Sequence, residues 1–232
     1  MSSHFRSAGD FIQSVLDLQP QVAVFDCDGT LWSGDAGGDF FYWEIERGLL
    51  LDITGQWALS RYEDYKRGQV GEEQMCGEMV TIHKGIAEER LMRAAEDFFM
   101  EKVAMRIFPQ MQELTMELRD RGCRLWAVSS TNEWVVRVGV RRFGIPEDQV
   151  LAACVEKENG CASDRLVRVP TGQGKAQAIQ ENIGVPVDVA FGNTVHDAAM
   201  LALARHAFAI SPDAELEQLA RQRGWVIYRP ET

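Results

Sequence analysis

Two carboxylates one residue apart, Asp26 and Asp28, close an apolar run of Val22, Ala23, Val24 and Phe25, and are followed at once by Gly29 and Thr30. Side chains two positions apart in extended chain point the same way, so both carboxylates can address one ligand. Such a pair holds a hard cation or divides labour as nucleophile and acid/base. Gly29 lets the backbone approach that ligand closely, and the amides around Gly29 and Thr30 can contact phosphate oxygens. The plainer reading is a buried strand ending in a solvated turn rich in Asp and Gly.

Three other places offer groups that could join them. Ser129, Ser130 and Thr131 end a second apolar run; their hydroxyls suit a phosphoryl oxygen, and equally suit the cap of a following helix. Lys175 follows Gly172, Gln173 and Gly174 where a helical pattern opens. Alone, it reads as a solvated helix face, and the Gly-x-x-x-x-Gly-Lys-Ser/Thr spacing of a P-loop is absent. A third apolar run ends in Gly192 and Asn193, with Asp197 four positions further on.

Three of the four places sit where a strand stops, which is where open α/β sheets bind ligands, and Lys175 sits where a helix opens. Strands are predicted over residues 22–25, 123–128, 150–155, 187–191, 207–210 and 225–228, with helical patterns between them. A hairpin is predicted around Asn159 and Gly160. That alternation implies right-handed crossovers and a doubly wound, mainly parallel α/β sheet. Residues 33–107 differ: apolar spacing suggests helices over 40–51, 54–65, 71–83 and 87–105, with no convincing strand.

Asp26-Cys27-Asp28-Gly29-Thr30 resembles the first motif of the haloacid dehalogenase-like superfamily, mostly magnesium-dependent phosphotransferases. Ser129, Lys175 and the stretch from Gly192 to Asp197 resemble the three companion motifs, in family order. The resemblance implies a Rossmann-like core formed by residues 1–32 and 108–232, and an α-helical cap over residues 33–107. By the same resemblance Asp26 is the nucleophile, Asp28 the acid/base, and Ser129 and Lys175 hold phosphoryl oxygens, with Gly29, Thr30 and Ser130 beside the substrate. It further implies Mg2+ held by Asp26, Asp28 through its backbone carbonyl, and Asn193, with Asp197 partnering Lys175 or a metal-bound water. Asn193 departs from the pattern, because most relatives carry Asp there; an amide brings no charge and should weaken the metal.

The resemblance is to phosphoserine phosphatases in particular, whose acidic residue shortly after the first motif contacts a substrate amine. Asp35 stands at that spacing, and as readily caps a helix beginning near Gly37. The implied reaction is hydrolysis of a small, amine-bearing phosphomonoester such as phosphoserine. The crowd of Trp32, Phe40, Phe41, Tyr42, Trp43, Trp57, Tyr62 and Tyr65 permits an alternative, an aromatic cage for phosphocholine or phosphoethanolamine; as helix-spaced aromatics they also serve as packing. Arg61, Lys66 and Arg67 either bind a substrate carboxylate or solvate a helix. A non-catalytic, small-molecule-binding protein on the same core is the remaining alternative, suggested only by Asn193.

Composition fits these readings. The 232 residues, 46% of them hydrophobic, suffice for one large domain or a core with a small companion. With 24 basic and 35 acidic residues the formal charge is −11, and no basic run offers a track for nucleic acid. Five cysteines without a Cys-x-x-Cys pair suit a reduced compartment, with Cys154 and Cys161 the one conceivable bridge. The start of the chain lacks a basic-then-apolar signal pattern and no apolar run reaches a membrane span, so a cytoplasmic location and no membrane partner are expected.

Overall fold

A computed structural model describes residues 7–231. Residue 232 and residues 1–6, at the outer ends of the stretches expected to form the core, lie outside it. The chain runs α1 (Ala8–Leu16), β1 (Val22–Phe25), α2 (Ala36–Glu46), α3 (Asp52–Lys66), α4 (Glu72–Thr81), α5 (Glu88–Phe98), α6 (Pro109–Asp120), β2 (Arg124–Asn132) and α7 (Glu133–Val140). It continues through β3 (Val150–Glu158), β4 (Cys161–Arg168), α8 (Gln173–Asn182), β5 (Val189–Gly192), α9 (Ala198–Leu203), β6 (His206–Ile210), α10 (Ala214–Arg223) and β7 (Val226–Tyr228).

The strands form one sheet in the order β4-β3-β2-β1-β5-β6-β7. Every pairing is parallel except β3 with β4. All four residues of β1 and of β5 are buried, as strands covered on both faces must be. One layer of the core packs Phe11, Phe25, Phe191 and Phe208, with Phe25 and Phe191 stacked at 4.5 Å. The other packs Val24, Val128, Ile179 and Leu201. Successive strands are laid down on opposite sides of β1, so the order reverses there and a crevice opens at its carboxyl end.

The predicted doubly wound sheet is present, with some limits moved. β2 runs on to Asn132, four residues beyond the expected end, through an irregularity between Ser129 and Asn132 in its pairing with β3. The hairpin turns at Asn159 and Gly160, whose φ angles of 52° and 78° are the left-handed pair such a turn requires. Cys154 and Cys161 are both free thiols.

Residues 36–106 are helical as predicted, but the last helix stops at Phe98. A wide π turn over Phe99–Val103 and a tight 3-10 turn over Ala104–Arg106 then bring the chain back. Phe98, Phe99 and Val103 are fully buried, so the change of pitch keeps successive apolar side chains inward where a regular helix would rotate one out. The return is zipped to the exit: Ser33 N donates to Arg106 O at 2.9 Å and Phe108 N to Leu31 O at 3.0 Å.

The helical segment has a second anchorage on the sheet. The turn between α4 and α5 runs alongside the β3–β4 hairpin, with Gly85 N on Ala162 O at 2.8 Å, Ala162 N on Ile86 O at 2.9 Å and Glu88 N on Gly160 O at 2.9 Å. Between the helices lies a buried pair, His83 Nε2 and Glu44 Oε2 at 2.6 Å, beneath the edge of Trp134 from α7. Among the described residues no helix is long and apolar enough to cross a membrane.

Candidate active site

The carboxyl ends of β1, β2 and β5 bring the predicted polar residues to one cavity of about 310 Å³. Asp26 and Asp28 follow β1, Ser129 and Ser130 lie near the end of β2, Asn193 follows β5, and Lys175 enters from the first turn of α8; all of them line the cavity, whereas Gly29 and Thr30, expected beside the substrate, do not, Thr30 being fully buried.

Asp26 is buried and each of its oxygens is held. Lys175 Nζ donates to Oδ1 at 2.6 Å and Thr30 Oγ1 donates to Oδ2 at 2.9 Å. The same ammonium donates to Asp197 Oδ1 at 2.5 Å. With 3% of its side chain exposed, Lys175 is a buried cation between two carboxylates, which a lone lysine on a helix face would not be. Burial pulls its pKa down, but Asp197 and Asp26 outweigh this and hold it above the ordinary value. Burial and the Asp197 charge push Asp26 up to about 7 against the pull of Lys175.

Asp197 also anchors the turn after β5, accepting from Asn193 N at 2.8 Å and Thr194 N at 3.0 Å. A Cβ on Gly192 would come within 2.5 Å of the Asp197 side chain, so only glycine fits there. Gly29 is required twice over: its φ is +73°, and a Cβ would lie 1.9 Å from the Asn193 side-chain nitrogen. The first and fourth motifs are thus interlocked, Asn193 against Gly29.

Asp28 accepts from Trp32 Nε1 at 2.6 Å and Ala36 N at 2.7 Å on one oxygen, and from Thr131 Oγ1 at 2.6 Å on the other. Burial, then the Asp35 charge, push it up to about 6 against these donors. Ser129 accepts from Thr131 N at 3.1 Å. The helix after β2 is capped by Asn132, whose Oδ1 accepts from Val135 N at 3.0 Å, which leaves Ser129 and Ser130 free of the capping role.

Asp35 is a helix cap whose side chain also borders the site. It caps α2 through Gly38 N at 2.9 Å and lines the cavity. The opposite wall comes from α3 and α4: Tyr62, Tyr65, Glu72, Met75, Cys76 and Met79. Burial pushes the Cys76 thiol up to about 12, so it is a neutral wall group. Glu72 bridges to the sheet side, accepting from Thr171 Oγ1 at 2.5 Å and contacting His196 Nε2 at 2.6 Å.

Two expectations about this wall are corrected. Trp32 and Trp43 do not line the cavity: Trp32 is fully buried against Phe99 and Phe143, and Trp43 packs on Phe40 and Phe98 with its indole nitrogen on Glu101. Their size and apolar faces are spent on packing, so only Tyr62 and Tyr65 of the aromatic crowd reach the site. The cations Arg61, Lys66 and Arg67 are likewise committed elsewhere. Arg61 grips Glu78 through two hydrogen bonds of 2.9 Å, Lys66 donates to Tyr42 Oη at 3.2 Å and pairs with Glu63, and Arg67 pairs with Asp64 at 2.7 Å.

Sequence reasoning missed Thr131, Trp32 as a donor to Asp28, Glu72 and His196. Thr131 had a signal, the period of two that places it with Ser129 on one side of a strand. Glu72 had none, since its role depends on where α4 lands.

A cation at this site would meet hard oxygen donors: the Asp26 carboxylate, the backbone carbonyl that the resemblance assigns to Asp28, and the Asn193 amide oxygen. That all-oxygen set fits Mg2+. Among the described residues no group of three or more His, Cys, Asp or Glu forms a metal cluster.

Comparison with known proteins agrees with this geometry. The model of the haloacid dehalogenase-like hydrolases matches residues 23–202. Phosphoserine phosphatase SerB1 of Mycobacterium tuberculosis is 30% identical over 98% of this chain and 76% of its own length. A histidinol-phosphatase of Neisseria meningitidis is 24% identical over 89% of this chain and 97% of its own. A solved structure of a protein of unknown function from Bordetella pertussis superposes with a TM-score of 0.75 at 22% identity, covering 89% of this chain and 96% of that one. The chain belongs to the haloacid dehalogenase-like hydrolases and stands among their phosphoserine phosphatase-like members.

Proposed function

We propose that the protein is a magnesium-dependent phosphatase that hydrolyses a small, amine-bearing phosphomonoester through an aspartyl-phosphate on Asp26. The observation that carries this reading is the state of Asp26: buried, held by Lys175 at 2.6 Å and Thr30 at 2.9 Å, and facing a cavity shared with Asp28 and Ser129. A carboxylate so fixed is oriented before substrate arrives, which lowers the entropic part of the barrier.

In the first step Asp26 attacks phosphorus and Asp28 gives its proton to the leaving alcohol. In the second, Asp28 takes a proton from the water that releases phosphate. A carboxyl group pushed up to about 6 both holds and surrenders a proton near neutral pH. Ser129 and Lys175 hold the non-reacting oxygens, and Asp197 keeps Lys175 in place. When bound by Asp26, the Asp28 carbonyl and Asn193, Mg2+ would supply positive charge against the phosphoryl oxygens.

Residues 33–107 act as the cap that excludes water and chooses the substrate. Asp35 and Glu72 add negative charge to the cavity lining, which favours an amine. Relatives named for phosphoserine and for histidinol phosphate support that class, since both compounds carry one. Tyr62 and Tyr65 favour a second reading, a substrate with a quaternary ammonium. The five unpaired cysteines favour a reducing compartment, and we place the protein in the cytoplasm.

The test is phosphate release from a panel of small phosphomonoesters, with Mg2+ and with a chelator. Release that needs the metal, together with acid-stable phosphate trapped on Asp26, is expected. Activity that survives in purified Asp26→Asn overturns the covalent route.

A further inference from the structure

The substrate's carboxylate, or its lack of one, is decided by which charges the lining of the cavity can offer. Among the described residues lining it, Lys175 is the only lysine and there is no arginine. Its ammonium is already shared between Asp26 and Asp197 at 2.6 and 2.5 Å. The imidazole of His196 lies on Glu72 Oε2 at 2.6 Å. Arg61, the cation of α3 best suited to grip a carboxylate, is held side-on by Glu78 and does not line the cavity. Besides Asp26 and Asp28, the lining carries two carboxylates from different elements, Asp35 at the start of α2 and Glu72 at the start of α4.

From this arrangement we infer that the site takes a phosphorylated amine that carries no carboxylate, and that Glu72 is the residue enforcing the choice. The inference rests on the phosphatase reading and narrows it. A substrate carboxylate would lose its water and find like charge, with every basic group among the described lining residues already paired, a cost felt in both the bound and the transition state. An ammonium would find two acceptors already positioned. Glu72 is fixed from two sides, by Thr171 Oγ1 at 2.5 Å and by His196, so it cannot swing away to make room. The rejection of the anion is built into the wall as firmly as the welcome of the cation.

The test uses two compounds that differ by one carboxylate, ethanolamine phosphate and O-phosphoserine, on the full chain with Mg2+. An aryl phosphate with a good leaving group is the third arm. The expected kcat/KM ratio favours ethanolamine phosphate by roughly a hundredfold, the size that like-charge contact commonly imposes. Glu72→Gln should lower that ratio at least tenfold, by weakening turnover of the amine and relieving the repulsion of the acid. If the aryl phosphate is turned over but phosphoserine equals or exceeds ethanolamine phosphate, the inference is wrong and the phosphatase reading stands. The same holds if Glu72→Gln folds and leaves the ratio unchanged, or if a neutral sugar phosphate outperforms both amines. If none of the compounds, the aryl phosphate included, is hydrolysed, both fall together.

Discussion

The two walls of the cavity are built by different physics. On the sheet side, each carboxylate is fixed by groups whose own positions are set by backbone: Asp197 by two amides of its turn, Asp28 by the Ala36 amide and a strand hydroxyl, Asp26 by Thr30 four residues on. On the helical side, the cavity is faced by side chains of α3 and α4 that, Glu72 apart, are placed by how those helices pack. The first wall tolerates almost no change of shape, as the Cβ clearances at Gly29 and Gly192 demonstrate. The second can change one residue at a time without disturbing the chemistry. Reaction and selectivity are therefore separable, and substitutions should sort by wall.

The largest effect belongs to the sheet side. Asp26→Asn should lower turnover by about 10^4-fold or more, since an amide is no nucleophile. Its melting temperature should stay at or above that of the parent, because the parent buries a charge there. Steady-state kinetics and a thermal melt on the same preparation check both halves. A proportionate loss of fold and activity would erase the contrast between the walls.

Next comes the pair that holds the helices to each other. Glu44→Ala leaves His83 buried without its acceptor and should destabilise the protein by about 3–5 kcal/mol, read by denaturant unfolding. Burial lowers the His83 pKa, but the Glu44 carboxylate outweighs it and the net shift is upward. A group raised in the folded state stabilises fully below its unfolded value of 6.5 and loses that contribution as pH climbs through the folded value. Parent stability should accordingly decline as pH rises past 6.5, and His83→Phe should flatten the decline. A slope that is unchanged in His83→Phe assigns the pH dependence elsewhere.

Smaller again, Asn193→Asp adds a charged oxygen to the proposed metal site. It should move the half-saturating Mg2+ concentration down by roughly tenfold, about 1.4 kcal/mol. A midpoint that stays or rises would separate Asn193 from the metal.

The smallest effect tests a residue on the boundary of the two walls. Asp35→Asn keeps the oxygen that caps α2 but discards the charge. Amine-bearing substrates should lose several-fold in kcat/KM, more than an aryl phosphate loses, at a nearly constant melting temperature. Equal losses would make Asp35 a helix cap alone.

The same division explains what the sequence disclosed. Val22 to Thr30 announced a strand, a turn and two carboxylates because each of those features is local. The ends of β2 and β5 were legible for the same reason. Lys175 was ambiguous on local grounds, and became informative only through its order behind the other motifs. The helical wall was misread where its meaning is tertiary: Trp32 and Trp43 have the composition of a cage but the burial of a core, and Arg61 has the charge for a ligand but a neighbour in Glu78. Glu72 was invisible because α4 must first be docked before anything places its first residue beside Thr171 and His196.

The strand-like contact between residues 85–88 and the β3–β4 hairpin limits how the helical segment can move. A body joined to another at one place can swing in any direction, whereas one joined at two separated places can only turn about the line between them. Here the first joint is the zipped pair of connections at Leu31–Ser33 and Arg106–Phe108, and the second is the hairpin. Three backbone hydrogen bonds close that second joint, so its release means partial unfolding rather than a loop motion. The third tie, Glu72 on Thr171 and His196, is made of side chains alone. With it in place, Glu72 stays where the substrate meets it.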